Sequence, residues 1–84
     1  MRWTVIAVQV LPLRTIAVRF ADGTEGKVRF EDTHLEGVFA KLKDPAFFDQ
    51  AFLDAGAVAW PGDIDLAPDA MYSQIKRDGE WVLR

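Results

Sequence analysis

Apolar and polar residues change rhythm several times along this chain, and each change marks an element. Residues 3–10 are apolar on both alternating sets, Trp3, Val5 and Ala7 against Ile6, Val8 and Val10. That predicts an interior strand covered on two sides, ended by Pro12. From Arg14 onward the alternation is cleaner: Ile16, Val18 and Phe20 share a face with Gly26, Val28 and Phe30, while Arg19, Lys27 and Arg29 point the other way. This is the pattern of an amphipathic hairpin.

Parity specifies its turn, because directly opposed residues lie on the same side of a sheet. A two-residue Asp22-Gly23 loop would oppose Phe20 to Glu25, inside against outside. A three-residue loop over 21–23 instead opposes Phe20 to Thr24, Val18 to Gly26, Ile16 to Val28 and Arg19 to Glu25. It places Gly23 at the left-handed position of a type I turn with a G1 bulge. The same reasoning at Asp54-Ala55-Gly56 predicts a second hairpin over 51–60 with Leu53 opposite Ala57.

Between the hairpins the period changes to that of a helix. Thr33-His34-Leu35-Glu36 matches a capping box, and Leu35, Val38, Phe39 and Leu42 follow at helical spacing. Gly37 weakens that helix by up to about 1 kcal/mol relative to Ala. Asp44-Pro45 stops it and starts a short turn carrying Phe47 and Phe48. Pro68 opens a last helix with Asp69 at its positive end and Met71, Tyr72 and Ile75 on its apolar side. A capping side chain is missing just before that proline, at Ala67. Asp78-Gly79 ends the helix, and residues 80–83 add a short edge strand bearing Trp81. The expected class is α+β: a mostly antiparallel sheet built from two hairpins plus an N-terminal strand, with two main helices packed on it.

The chain has 84 residues, 50% of them apolar, with three Trp, six Phe and no Cys. One domain over residues 1–84 with a folding stability of roughly 4 to 12 kcal/mol follows, held by a core rather than by disulfides. No run is long and unbroken enough to span a bilayer, and no cleavage pattern of a secretory signal appears. A soluble, cytoplasmic protein is expected. The net charge of -3 conceals an asymmetry. Residues 1–30 carry five basic and two acidic side chains, for +3, whereas residues 31–84 carry five and eleven, for -6. Such a split presents two unlike faces to partners.

Candidate chemistry is thin. With no Cys, one serine (Ser73) and one histidine (His34) on different elements, no nucleophile set is supported. His34 reads as an exposed first-turn residue. Asp63, Asp65 and Asp69 suggest a cation loop, yet the EF-hand positions for Gly and the bidentate Glu are held by Pro68 and Gln74. Turn-forming and helix-dipole roles fit these acids better. No GxGxxG or Walker spacing occurs, so no cofactor is expected, and neither is a metal or a catalytic site.

Two tryptophans remain. Trp60, in Trp60-Pro61-Gly62, is either an exposed recognition anchor or a core plug whose indole finds one hydrogen bond. Trp81, on the edge strand, is the candidate for self-association through strand pairing.

The ordered set from Phe48 to Tyr72, in which an acidic-Gly turn leads to Val58-Ala59-Trp60-Pro61, then Asp65-Leu66-Ala67-Pro68, then an apolar helix ending near Tyr72, resembles the small bacterial proteins grouped as domain of unknown function 2442. The likeness extends back through the Phe20-Ala21-Asp22-Gly23 hairpin to the strand near Val5. It implies an α+β fold. It also implies the partner half of a two-component module, encoded beside another small protein in an arrangement like a toxin and its antitoxin. Some relatives carry an appended helix-turn-helix domain, for which this chain is too short.

Two function classes follow. The leading one is a non-enzymatic, antitoxin-like interaction protein that binds a basic or edge-strand surface of a small protein partner through its acidic half, with Trp60, Asp63, Asp65, Asp69 and Trp81 as candidate contacts. The alternative is a regulatory nucleic-acid binder using Arg19, Lys27 and Arg29 on the outer hairpin face. The acidic pI of about 4.9 and the lack of aromatics on that face make nucleic acid the weaker expectation, and no membrane contact is expected.

Overall fold

The strongest alternation in the chain makes the centre of the main sheet. In a computed structural model that describes the backbone of residues 1–84 and every side chain except those of His34 and Val38, β2 (Thr15–Phe20) and β3 (Glu25–Phe30) pair antiparallel. Ile16 lies opposite Val28, Val18 opposite Gly26 and Arg19 opposite Glu25, the register that parity demands. The Phe20 N–H donates to the Thr24 carbonyl at 2.8 Å and the Gly23 N–H to the Phe20 carbonyl at 2.9 Å, with Gly23 at φ +90°. The turn is therefore the three-residue one.

β1 (Val5–Leu11) adds to β2, and with the last strand, β7 (Glu80–Leu83), the sheet order is β1-β2-β3-β7. β1 is thus an edge strand rather than the interior strand its two apolar faces suggested. A register shift between Val5 and Ala7 turns Ile6 outward, 49% exposed, while Val5 stays in the core. The Val5 N–H donates to the Gly56 carbonyl at 2.9 Å, so the start of β1 is clasped by the second hairpin's turn.

That second hairpin belongs to a separate three-stranded sheet of order β4-β5-β6, made by β4 (Phe52–Asp54), β5 (Ala57–Trp60) and β6 (Ile64–Asp65). The expected single sheet is corrected to two. The expected register is corrected as well: Asp54, not Leu53, lies opposite Ala57. The loop is Ala55-Gly56, both at positive φ (+50° and +83°), as a two-residue type I′ turn requires. Parity loses its force here because Val58, Ala59 and Trp60 are all buried, and a strand apolar on both faces does not declare which side is inside.

The predicted helix beginning near Thr33 is replaced by two 3-10 segments, Asp32–His34 and Gly37–Lys43, neither closed by a side-chain cap, so the capping box is not formed. Gly37 sits at φ +59°, a left-handed conformation that no α-helix passes through. Leu35 and Leu42 are nonetheless fully buried and Phe39 half-buried. The expected place of Val38 on that stripe, and the exposure of His34, fall on side chains outside the described ones.

Asp44 caps α1 (Pro45–Phe48), accepting from the Ala46 N–H at 3.0 Å. α2 (Pro68–Asp78) starts at the predicted proline without a side-chain cap at Ala67 and ends on Gly79 at φ +81°. It is the one long α-helix, not one of two. β7 (Glu80–Leu83) then runs parallel to β3, with Lys27 beside Glu80 and Val28 beside Trp81.

One core unites these pieces. The inner face of the four-stranded sheet (Ile16, Val18, Phe20, Val28, Phe30) meets Val58, Trp60 and Ile64 from the second sheet and Met71 and Ile75 from α2. Gly26 permits the close approach of α2, since a Cβ there would lie 2.5 Å from Ile75 Cγ2 and 3.0 Å from the Gly79 carbonyl oxygen. No helix among the described residues is long and apolar enough to cross a membrane.

Candidate functional site

Trp60 takes the position of a plug. It is 1% exposed, its indole N–H donates to the Phe48 carbonyl at 2.8 Å, and Phe30 meets its ring edge-on at 5.8 Å between centroids. A side chain buried and hydrogen-bonded in this way offers nothing to a partner, which removes Trp60 from the candidate contacts. Trp81 is half-buried on the inner side of β7, next to Val28. Ser73 is exposed on α2. Among the described residues no three acidic or imidazole groups gather at metal-ligand distance.

The outer face of the four-stranded sheet bears Arg19, Lys27 and Arg29, all exposed. Half-buried Ala7 and Ala17 line a shallow groove there of about 510 Å³, bounded by Arg19, Glu25 and Lys27. Each cation has an anion beside it. Arg19 reaches Glu25 at 3.9 Å, Arg29 reaches Glu31 at 3.0 Å, and Lys27 has Glu80 as its cross-strand neighbour. Exposed pairs of this kind contribute about 0 to 1 kcal/mol to stability. Their effect on recognition is larger, because they cancel the local positive potential that a phosphate backbone would seek.

The second sheet presents a different surface. Register places Phe52, Ala59 and Asp65 in one cross-strand row, and alternation puts Asp54 on the same side as Phe52. Ala59, in the middle of this row, is buried, while Asp54 and Asp65 are exposed and Phe52 is 43% exposed. By the same alternation Leu53 (37% exposed) lies on the opposite side of β4, and Ile6 (49%) is exposed on neighbouring β1. Exposed Asp63 lies in the turn leading into β6, and exposed Asp69 in the first turn of α2. Of the acids singled out from the sequence, Asp65 is the one the register sets in a row with an exposed aromatic ring.

Phe52 and Leu53 were not singled out from the sequence. A signal was available: two consecutive apolar residues in a three-residue strand cannot both face the core, and a strand lacking a partner on one side leaves the other one bare.

One further polar contact ties the fold together. The Tyr72 hydroxyl donates to Asp22 at 2.5 Å, and the Thr24 N–H donates to the same carboxylate at 2.9 Å. Those two hydrogen bonds hold the Asp22 carboxyl down at about 2, and the carboxylate in turn raises the Tyr72 phenol above its ordinary value.

A family model described as a protein of unknown function (DUF2442) matches residues 5–77. No curated protein and no solved structure matches the chain.

Proposed function

We propose that this chain, which belongs to the DUF2442 family, is a non-enzymatic protein-interaction domain whose acidic half docks a basic segment of a small protein partner. The observation that supports this reading is the outer side of the second sheet, where the exposed Phe52 shares one side with exposed Asp54 on its own strand and, across Ala59, with exposed Asp65. An exposed ring with carboxylates on the same side of the sheet suits a basic segment, whose guanidinium groups stack on aromatic faces and pair with carboxylates.

The charge distribution favours the same partner. The excess of acids over residues 31–84 draws a basic protein, whereas the hairpin face carrying Arg19, Lys27 and Arg29 is matched anion for cation. An antitoxin-like role, in a bacterial cytoplasm beside a small neighbouring protein, is the biological setting this reading proposes.

The test is affinity capture from the native host with tagged wild-type protein, Phe52→Ser and Asp65→Lys in parallel. One protein of similar size, recovered stoichiometrically by wild type and lost from both variants, is the expected result. Equal recovery by the variants, or an eluate containing nucleic acid and no protein, overturns it.

A further inference from the structure

The four-stranded sheet ends on β7, whose outer side has no strand partner in the chain. The direction of its backbone groups follows from one hydrogen bond: the Leu83 carbonyl accepts from the Glu31 N–H at 2.8 Å, so Leu83 faces β3. Backbone groups alternate along a strand, so Trp81 faces β3 with it, while the N–H and C=O groups of Glu80 and Val82 point away from the molecule. Side chains alternate on the other axis. Trp81 and Leu83 lie on the inner, core-facing side with Val28 and Phe30, and Glu80 and Val82 lie on the outer side with Lys27 and Arg29.

Free edges are ordinarily protected by charge, and this one carries Glu80 and Arg84. Their signs are opposite and they stand symmetrically about Val82. When such a strand meets a second copy of itself antiparallel, outward-pointing residues must face outward-pointing residues, and only registers pairing even-numbered positions qualify. The register centred on Val82 pairs Val82 with the partner's Val82, Glu80 with the partner's Arg84, and Trp81 with the partner's Leu83. Each criterion is met at once: backbone donors meet acceptors, opposed side chains share a face, carboxylates meet guanidiniums, and the half-buried Trp81 gains an apolar neighbour.

The same register continues within each subunit. Lys27 lies beside Glu80, and one residue beyond Leu83 brings Arg84 beside Glu31. Across the junction the outer row therefore reads Lys27, Glu80, the partner's Arg84, the partner's Glu31, alternating in sign throughout.

From this self-complementarity we infer that the β7 edge is a homodimerisation surface, joining two four-stranded sheets into one continuous eight-stranded sheet about a two-fold axis through Val82. The surface is separate from the Phe52 row on the second sheet, so the dimer leaves that row open. A five-residue strand junction lies at the small end of specific interfaces, below about 1,200 Å². The dimer is accordingly a weak and reversible one.

Sedimentation velocity from about 5 to 500 μM, with no other protein present, tests the proposal. Wild type is expected to shift from monomer to dimer over this range. Arg84→Glu, which sets like charges across the junction twice, weakens association at least tenfold, and the double variant Glu80→Arg/Arg84→Glu restores it. Val82→Pro removes an outward N–H that serves no bond within the subunit, so it abolishes the dimer while thermal unfolding shows the fold retained. A wild type that stays monomeric at about 500 μM overturns the inference. So does a dimer indifferent to Arg84→Glu and Val82→Pro, or a double variant that fails to recover association.

Discussion

Tyr72, in the middle of α2, donates its hydroxyl to Asp22 in the turn of the first hairpin, at 2.5 Å and fifty positions apart in sequence. Phe20 meets the same tyrosine ring edge-on at 5.1 Å, so the phenol anchors the helix to the hairpin through both its apolar and its polar parts.

Its pH dependence has a definite sign on each side. Asp22 titrates at about 2 in the fold, below its ordinary value of 3.8, so the stability it contributes is fully present above about pH 4 and is lost as the pH falls through 2. Tyr72 is raised above 10, so its contribution is complete below pH 10 and is lost as the pH climbs through the raised value. Urea unfolding across pH 1.5 to 11 is expected to show Tyr72→Phe less stable than wild type in the middle of the range. The two curves should converge at both extremes, and a constant offset throughout would show that the hydroxyl bond is not the cause.

Gly26 is the place where helix and sheet come closest. Gly26→Ala puts a methyl group into the space of Ile75 Cγ2 and against the Gly79 carbonyl, and a loss of about 1 to 3 kcal/mol is expected from such overpacking. Denaturant titration reads it as a lower midpoint at unchanged slope.

Trp60 separates packing from hydrogen bonding. Trp60→Phe deletes the indole donor and leaves the Phe48 carbonyl with the Ala51 N–H at 3.3 Å, so the loss is that of one net hydrogen bond, about 0.5 to 1.5 kcal/mol. Trp60→Ala removes the ring as well, at about 3 to 5 kcal/mol. Against a total of roughly 4 to 12 kcal/mol the second variant loses a large share of its stability, read by circular dichroism as a much lower urea midpoint than that of Trp60→Phe.

Ala55 offers a change in the opposite direction. It holds φ +50° in a turn whose geometry favours Asn-Gly, and relieving the left-handed alanine is worth about 1 kcal/mol. Ala55→Asn should raise the melting temperature by roughly 4 to 8 °C for a domain of this size. A lower melting temperature would mean that the loop is not a type I′ turn.

The two hairpins show why part of this fold is readable from residue order and part is not. Around Gly23 the flanking strands alternate strictly between core and solvent, so opposing Phe20 to Glu25 is visibly wrong and the register follows. Around Gly56 the second strand is buried on both faces, every register looks acceptable, and the choice falls to the backbone of Ala55, whose positive φ no side-chain pattern announces. Helical spacing at Leu35, Phe39 and Leu42 located buried residues and missed their conformation, because apolar spacing records burial while Gly37 decides the local path. For the candidate surfaces, residue order singled out Asp65 within an acidic cluster and Trp81 for its place on an edge strand. The exposure of Phe52 depended on its strand lying at the edge of a second sheet, which is a property of the assembled molecule.

The parallel pairing of β7 with β3 also sets an order of events. Hairpins and meanders close locally, but β7 finds its place beside β3 only after residues 31–79 have folded back across the core, a closure whose entropy is offset by contacts made late. The outward backbone groups of Glu80 and Val82 are arrayed as a strand edge only once that step is complete. A half-made chain, or one whose intervening segment has failed to fold, therefore has no such edge to offer, and the property most liable to make unfinished copies stick together is acquired last.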